Sequence, residues 1–219
     1  MNDVLVNTHH HQEKVSEFLQ RPKFGGKPQI SFEEILLGTA GTIRANADFF
    51  RGGDTLVIHA DNWCRCDFPG FLAFHERLRA NSANPAAVTM MTFRTATPET
   101  CGIVELDADG IVQKMHEKVV GSHGNLANAA VYIITQEVVD WIAQHPQVSD
   151  LSTEVLGQFM GRIASWENTQ VHRDIGSEEM LRLAQFDVSN EAVVAADMWG
   201  EEFQSNPIHK LLVQRGVVS

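Results

Sequence analysis

The stretch TLVIHADN, Thr55 to Asn62, decides the fold. Its first four residues form a near-continuous apolar run, and polar residues then close it with Asp61 and Asn62. A run of that length, rich in branched side chains, reads as a strand buried on both faces of a parallel sheet. A carboxylate just beyond the strand is where open α/β sheets meet their ligands. Asp61 serves equally well as a turn or helix-cap residue.

Working outward, strands and helices alternate. Val4–Asn7 and Gln29–Phe32 read as short strands, with a helix over Gln12–Gln20 between them. Arg21–Pro28, RPKFGGKP, is a turn. Helices are expected over Thr42–Phe50, Pro69–Asn81 and Gln136–Gln144, and over Thr153–Ser165 with Ser152 or Thr153 as its cap. Further strands are expected at Val88–Phe93, with Met90 and Met91 in the core, and at Ala129–Thr135. Gly102–Lys118 reads as a hairpin around Asp107-Ala108-Asp109-Gly110. The alternation implies an α/β fold. The expected division is one domain over residues 1–186 and a C-terminal extension over 187–219.

The 219 residues carry 28 acids against 17 bases, a net charge of −11. That balance argues against nucleic-acid binding, which needs a basic footprint, but leaves room for a small nucleotide. No apolar run is long enough for a membrane span, and the first residues do not read as a signal peptide. Three cysteines, Cys64, Cys66 and Cys101, give no disulfide framework, so a cytoplasmic location is expected.

Four groupings could carry chemistry. ILLGTAGTIRAN, Ile35–Asn46, is either a strand-to-helix corner or a glycine surface flat enough for a base. It lacks the Lys-Ser/Thr ending of a phosphate-binding P-loop. Asp61, in IHADN, and Asp174, in HRDIGSEEM, are two carboxylates from distant segments, and such a pair is a sufficient protein contribution to a Mg2+ site. Ser177 reads as a helix cap. Glu117 and Lys118, in MHEKV, form either a surface ion pair or a binding pair, the lysine for a phosphate and the glutamate for hydroxyls. His9–His11 with His59, Cys64 and Cys66 make a poor zinc site, because adjacent residues on a strand face opposite ways and C-x-C is too short a spacing.

In order, VNTHH, E-x-x-L-L-G-T-A-G-T, ADN, GIVELD-x-x-G, EK, NLANAAVY, DLSTEVL and RDIG run from Val4 to about Gln185. Together they resemble the sugar-1-phosphate nucleotidylyltransferases, in particular the mannose- or heptose-1-phosphate guanylyltransferase branch. The resemblance implies a Rossmann-like, mostly parallel sheet flanked by helices. It implies transfer of a nucleotidyl group from an NTP to a sugar 1-phosphate, with release of pyrophosphate and with Mg2+ as cofactor. The partners implied are a nucleotide with a sugar 1-phosphate, or the nucleotide sugar. Carried over by position, Glu33 and Gly38 contact the nucleobase, and Asp61 also binds the nucleotide. Asp61 and Asp174 hold Mg2+. Gly102, Glu117, Lys118 and Asn128 face the sugar and its phosphate.

Some positions depart from the family pattern. Val119 stands where the family has proline, Cys101 where it has an aromatic, and Asn128-Ala129-Ala130 where it has Asn-Ala-Gly. The chain also contains no G-x-G-T-R-x-x-P loop, which binds the triphosphate in the family, and starts at what resembles the second strand. The first strand of such a sheet lies between the second and the one ending at Asp61. Its loss predicts a gap with unpaired backbone on both neighbours. Three explanations are open: an upstream segment, a degenerate non-catalytic paralogue that binds a nucleotide sugar, or a fold completed by another chain or a second copy.

Overall fold

A computed structural model describes residues 3–81, 85–117, 123–187, 201, 205 and 207–217. The elements are β1 (Val4–Thr8), α1 (Gln12–Leu19), β2 (Pro28–Phe32), α2 (Thr39–Ala45), β3 (Thr55–Ile58), β4 (Asn62–Cys64) and α3 (Phe68–Asn81). They continue with β5 (Val88–Arg94), β6 (Gly102–Leu106), β7 (Val112–Glu117), β8 (Leu126–Ile134), α4 (Gln136–Gln144), β9 (Ile163–Glu167), β10 (His172–Asp174), α5 (Glu178–Ala184) and α6 (Pro207–Gln214).

The centre is a six-stranded sheet in the order β7-β6-β8-β5-β9, with β3 also paired to β8. Strands β5 and β8 bury side chains on both faces, and successive residues sort into two cores. Met90, Tyr132 and Ile134 join α2 and α4 through Ile43, Val138, Val139 and Ile142. Met91, Val131 and Ile133 pack instead with Phe71 of α3 and the partly buried Trp166. Helices therefore cover both faces, as the α/β reading expects. The pairings are mixed: β5–β9 and β1–β2 are parallel, whereas β3–β8, β5–β8, β6–β7 and β6–β8 are antiparallel.

Strand β3 differs from its expectation. Its known ladder partner is the antiparallel β8, and its side chains are only half-buried, with Ile58 44% exposed. Strands β1 and β2 form a separate two-stranded ladder. Among the described residues, one edge of β1 and one edge of β3 have no ladder partner. Helix α1 buries no residue fully, and beside it an open groove of ≈ 420 Å³ lies against Val4, Val6, Leu19 and Phe24.

The helix expected over Thr153–Ser165 is not formed. Asp150, not Ser152 or Thr153, caps a wide turn over Leu151–Val155 by accepting from the Thr153 N–H, and a tight turn over Leu156–Phe159 follows. Gly161, at φ 79°, then reverses the chain into β9, which lies parallel to β5. The helix-like spacing of Val155, Leu156 and Phe159 is real, since all three are buried. It serves two turns instead of a continuous helix. Helix α2 likewise begins three residues earlier than expected and ends at Ala45. The hairpin forms as read: Asp107 accepts from the Asp109 and Ile111 N–H groups, and Gly110 takes φ 78°.

Candidate active site

The glycine-bearing loop leads into α2. Gly38 sits at φ 77°, ψ 167°, a backbone region that is essentially glycine's own. The Ser149 carbonyl fills the space where a Cβ would stand, with its carbon 3.1 Å from that position. The same carbonyl accepts from the Ala40 N–H at 2.9 Å and the Gly41 N–H at 3.4 Å. The first amides of α2 are thus spent on the protein itself, and the loop is no phosphate cradle. Glu33 is buried, and its carboxylate accepts from Asn7 Nδ2 (3.3 Å), the Leu37 N–H (3.0 Å) and the Thr42 hydroxyl. It holds β1, the loop and α2 in one arrangement.

Residues 149–152 connect this loop to the hairpin. The Thr39 hydroxyl donates to Asp150 Oδ2 at 3.4 Å and accepts from the Leu151 N–H at 2.7 Å. The Ser152 hydroxyl donates to Glu117 Oε1 at 3.0 Å. Gly102 lies directly opposite Glu117 in the hairpin, and a Cβ on Gly102 would come within 2.8 Å of Glu117 Oε1. Asn128 joins the same group, donating to the Tyr132 hydroxyl at 2.8 Å and the Ser152 hydroxyl at 3.4 Å. Burial, reinforced by the Glu117 and Asp150 charges, pushes the Tyr132 phenol well above its usual range, so it stays a neutral hydroxyl.

Strand β8 carries the network on to the carboxylates. Between Met90/Tyr132 and Thr92/Asn128 the β5–β8 register slips, so β8 bulges at Ala129–Val131. Ala130 takes φ 51° there, and its N–H donates to Asn128 Oδ1 at 3.0 Å. This left-handed position explains why glycine suits it. Asn62 Nδ2 donates to the Ala129 carbonyl at 3.0 Å. Asn62 pairs with Asp174 in the β4–β10 ladder, and the Ile175 N–H donates to the Asp61 carbonyl at 2.9 Å. Asp61 and Asp174 are therefore neighbours across two short strands, both exposed. One Asp174 oxygen accepts the Gly176 N–H at 2.8 Å. The backbones of the two residues adjoin, and exposed carboxylates are the hard oxygen donors that Mg2+ prefers.

Of the eight residues singled out by sequence, seven fall on this connected network: Glu33, Gly38, Asp61, Gly102, Glu117, Asn128 and Asp174. Lys118 lies outside the described residues. Ser149 and Tyr132 join the network without a reading from sequence, and Ser152, read there only as a helix cap, joins it too. DLSTEVL carries Ser152, but a serine has no distinctive signal. The β4–β10 ladder was also not anticipated, because strands of three residues leave too little pattern.

The nucleotidyl transferase family pattern matches residues 1–190. The chain belongs to the nucleotidyl transferase family. Among curated relatives of this chain, the mannose-1-phosphate guanylyltransferase catalytic subunit beta of Dictyostelium discoideum is 29% identical over 150 residues, which is 67% of this chain and 40% of that protein. The mannose-1-phosphate guanyltransferase of Neurospora crassa is 26% identical over 182 residues, covering 80% of this chain and 48% of that one. The chain thus spans less than half the length of either relative. In fold it is similar to the crystal structure of HddC from Yersinia pseudotuberculosis, with a TM-score of 0.69 and 19% identity over 84% of this chain and 77% of that one. The helix-flanked sheet is the family's.

Proposed function

We propose that this chain carries the base, sugar and metal side of a site that transfers a nucleotidyl group from an NTP to a sugar 1-phosphate. The observation that supports this most directly is the unbroken contact path from Gly38 through Ser149–Ser152 to Glu117 and Asn128, and on to Asp61 and Asp174. In this reading the base lies against the Gly38 edge, whose shape Glu33 maintains. Glu117 accepts from sugar hydroxyls beside the Gly102 backbone. Asn128 and Lys118 meet the sugar's phosphate. Asp61 and Asp174 hold Mg2+, which when bound offsets the charge on the phosphate oxygens. A sugar-phosphate oxygen then forms the new bond to the α-phosphorus in line while the bond to the β-phosphate oxygen breaks, and pyrophosphate leaves. The relatives' names make GTP and mannose 1-phosphate the first substrates to test.

The G-x-G-T-R-x-x-P segment is not among these 219 residues, so the chain tested alone turns over slowly. The test is pyrophosphate release with GTP, UTP, dTTP, CTP or ATP, Mg2+ and a panel of sugar 1-phosphates, together with calorimetry of nucleotide sugars. Slow release with measurable nucleotide-sugar binding that D61N and D174N weaken is the expected result. Fast release by the chain alone overturns the slow-turnover reading, and absence of all binding overturns the site. A second reading, a non-catalytic sensor of nucleotide sugars, rests on the same Gly38, Glu117 and Asn128 contacts. It predicts product binding, weak NTP binding and no release at all. The free state of Cys64, Cys66 and Cys101 supports a reducing, cytoplasmic setting. No helix among the described residues is long and apolar enough to cross a membrane.

A further inference from the structure

The β6–β7 hairpin carries a second cluster, on the face opposite to Glu117. Successive side chains on a strand alternate faces, so His116 points away from Glu117. Glu105 lies opposite Lys114, and His116 opposite Ile103, which puts Glu105, Lys114 and His116 on one face. His116 Nε2 lies 2.8 Å from Glu105 Oε1, and His123 Nδ1 lies 3.8 Å from the same oxygen. The two imidazoles stack with centroids 3.9 Å apart and planes 15° apart. Lys114 Nζ lies 3.6 Å from the other carboxylate oxygen, Oε2. His116 pulls the Glu105 carboxyl below its ordinary range, which keeps it ionised.

We propose that Glu105, His116 and His123 form a binding site for a divalent transition-metal ion of the Zn2+ type. Two imidazole nitrogens and one carboxylate oxygen are its ligands, and water takes the fourth position. The three donor atoms all lie within 4.8 Å of one another. Two ligands on a tetrahedral zinc ion, each about 2.0–2.1 Å from it, stand about 3.4 Å apart. The stacked rings aim their in-plane lone pairs side by side, so both imidazoles must turn out of the stack to point at one ion. Imidazole nitrogens favour zinc, nickel, cobalt or copper over magnesium, so this donor set differs in kind from the all-oxygen pair Asp61 and Asp174. Lys114 holds one carboxylate oxygen and leaves Oε1 turned to the imidazoles. All three ligands are half-buried, so an ion can reach them without unfolding the hairpin. The ion ties residue 116 to residue 123, and Lys118 lies between them in sequence.

The test uses the full chain, without a histidine tag and stripped with chelator. Zn2+ is titrated by calorimetry and Co2+ by visible absorption. One ion per chain is expected, with affinity falling as pH drops through the histidine range because the imidazoles must be deprotonated. H116A and H123A each weaken Zn2+ binding tenfold or more and remove the cobalt absorption bands. The paired variants H10A/H11A and C64S/C66S leave both unchanged. Circular dichroism checks that each variant is folded, and H116Q, close in size, replaces H116A if that variant is not. No saturable uptake, wild-type affinity in the H116A/H123A double variant, or loss of binding in H10A/H11A or C64S/C66S overturns the proposal.

Discussion

Replacing Gly38 with alanine strains the backbone and collides with another part of the fold. The φ 77°, ψ 167° conformation costs a residue with a Cβ about 1–3 kcal/mol. The new Cβ meets the Ser149 carbonyl, which is backbone and cannot rotate aside as a side chain would. To make room, that carbonyl leaves the Ala40 N–H at 2.9 Å and the Gly41 N–H at 3.4 Å, and each bond contributes about 1 kcal/mol net. The sum is a loss of roughly 3–5 kcal/mol, equivalent to a Tm about 6–20 °C lower for a chain of this size. Gly110→Ala is the control. Gly110 has a similar φ of 78°, but nothing lies within 4 Å of its Cβ position, so only the conformational cost of about 1–2 kcal/mol applies. Guanidinium unfolding of both variants measures the difference. If G38A costs no more than G110A, the Ser149 contact does not hold the loop, and the account of why glycine stands there fails.

Three further outcomes follow from the same network. Gly102→Ala pushes a Cβ to 2.8 Å from Glu117 Oε1, a flexible side-chain end that can swing away; stability should fall by under ~1 kcal/mol while nucleotide-sugar affinity, read by calorimetry, drops about tenfold with the lost charged hydrogen bond. Ala130→Gly relieves a left-handed alanine at φ 51° and adds unfolded-state freedom, a net gain of about 0.5 kcal/mol that thermal unfolding would register as a small rise in Tm. Glu154 accepts from the Ser149 and Asp150 N–H groups, which hold its carboxyl below the ordinary 4.5; the lowered folded value means its stabilisation is complete above that pH and is lost as pH falls further, so the stability gap between wild type and E154Q should be widest near neutrality and close in acid.

Local pattern carried much of the fold. The Asp107–Gly110 turn set the hairpin register, and the apolar runs at Val88–Phe93 and Ala129–Thr135 became the two strands buried on both faces. Two readings went wrong where local pattern serves more than one structure. TLVI states that a strand is apolar but not how many neighbours it has, and β3 is bonded along one edge. Val155, Leu156 and Phe159 have helical spacing, yet Gly161 breaks the run into turns and β9. The pairing of Asn62 with Asp174 spans more than a hundred residues, so no local signal could bring Asp61 and Asp174 together. Residue type alone suggested them as a carboxylate pair, and the resemblance strengthened that reading. The Glu105–His116 contact was open to reading from the hairpin register, but two common polar residues drew no notice.

In the proposed site, the hydrogen bonds of residues 149–152 join the base side to the sugar side. Ser149 binds the α2 amides, Asp150 binds Thr39, and Ser152 binds Glu117 and Asn128, all within four consecutive residues. A segment that short has little freedom to move one end without the other. Its own rigidity comes from the Asp150 cap and from Glu154, whose Oε2 accepts from the Ser149 N–H, the Ser149 hydroxyl and the Asp150 N–H. Leu151, Val155 and Leu156 anchor it in the core. A ligand that pulls Glu117 toward its hydroxyls therefore pulls on the Ser149 carbonyl that shapes the Gly38 edge, and occupancy of one side biases the geometry of the other. Of the two strands with an open edge, β3 is laddered to β8, and β1 reaches α2 through Asn7, whose Nδ2 donates to Glu33 Oε1 and Thr42 Oγ1. β1 thus bears on the Gly38 edge through Glu33 and Thr42, whereas Glu117 and Asn128 are held by β8, the hairpin and Ser152.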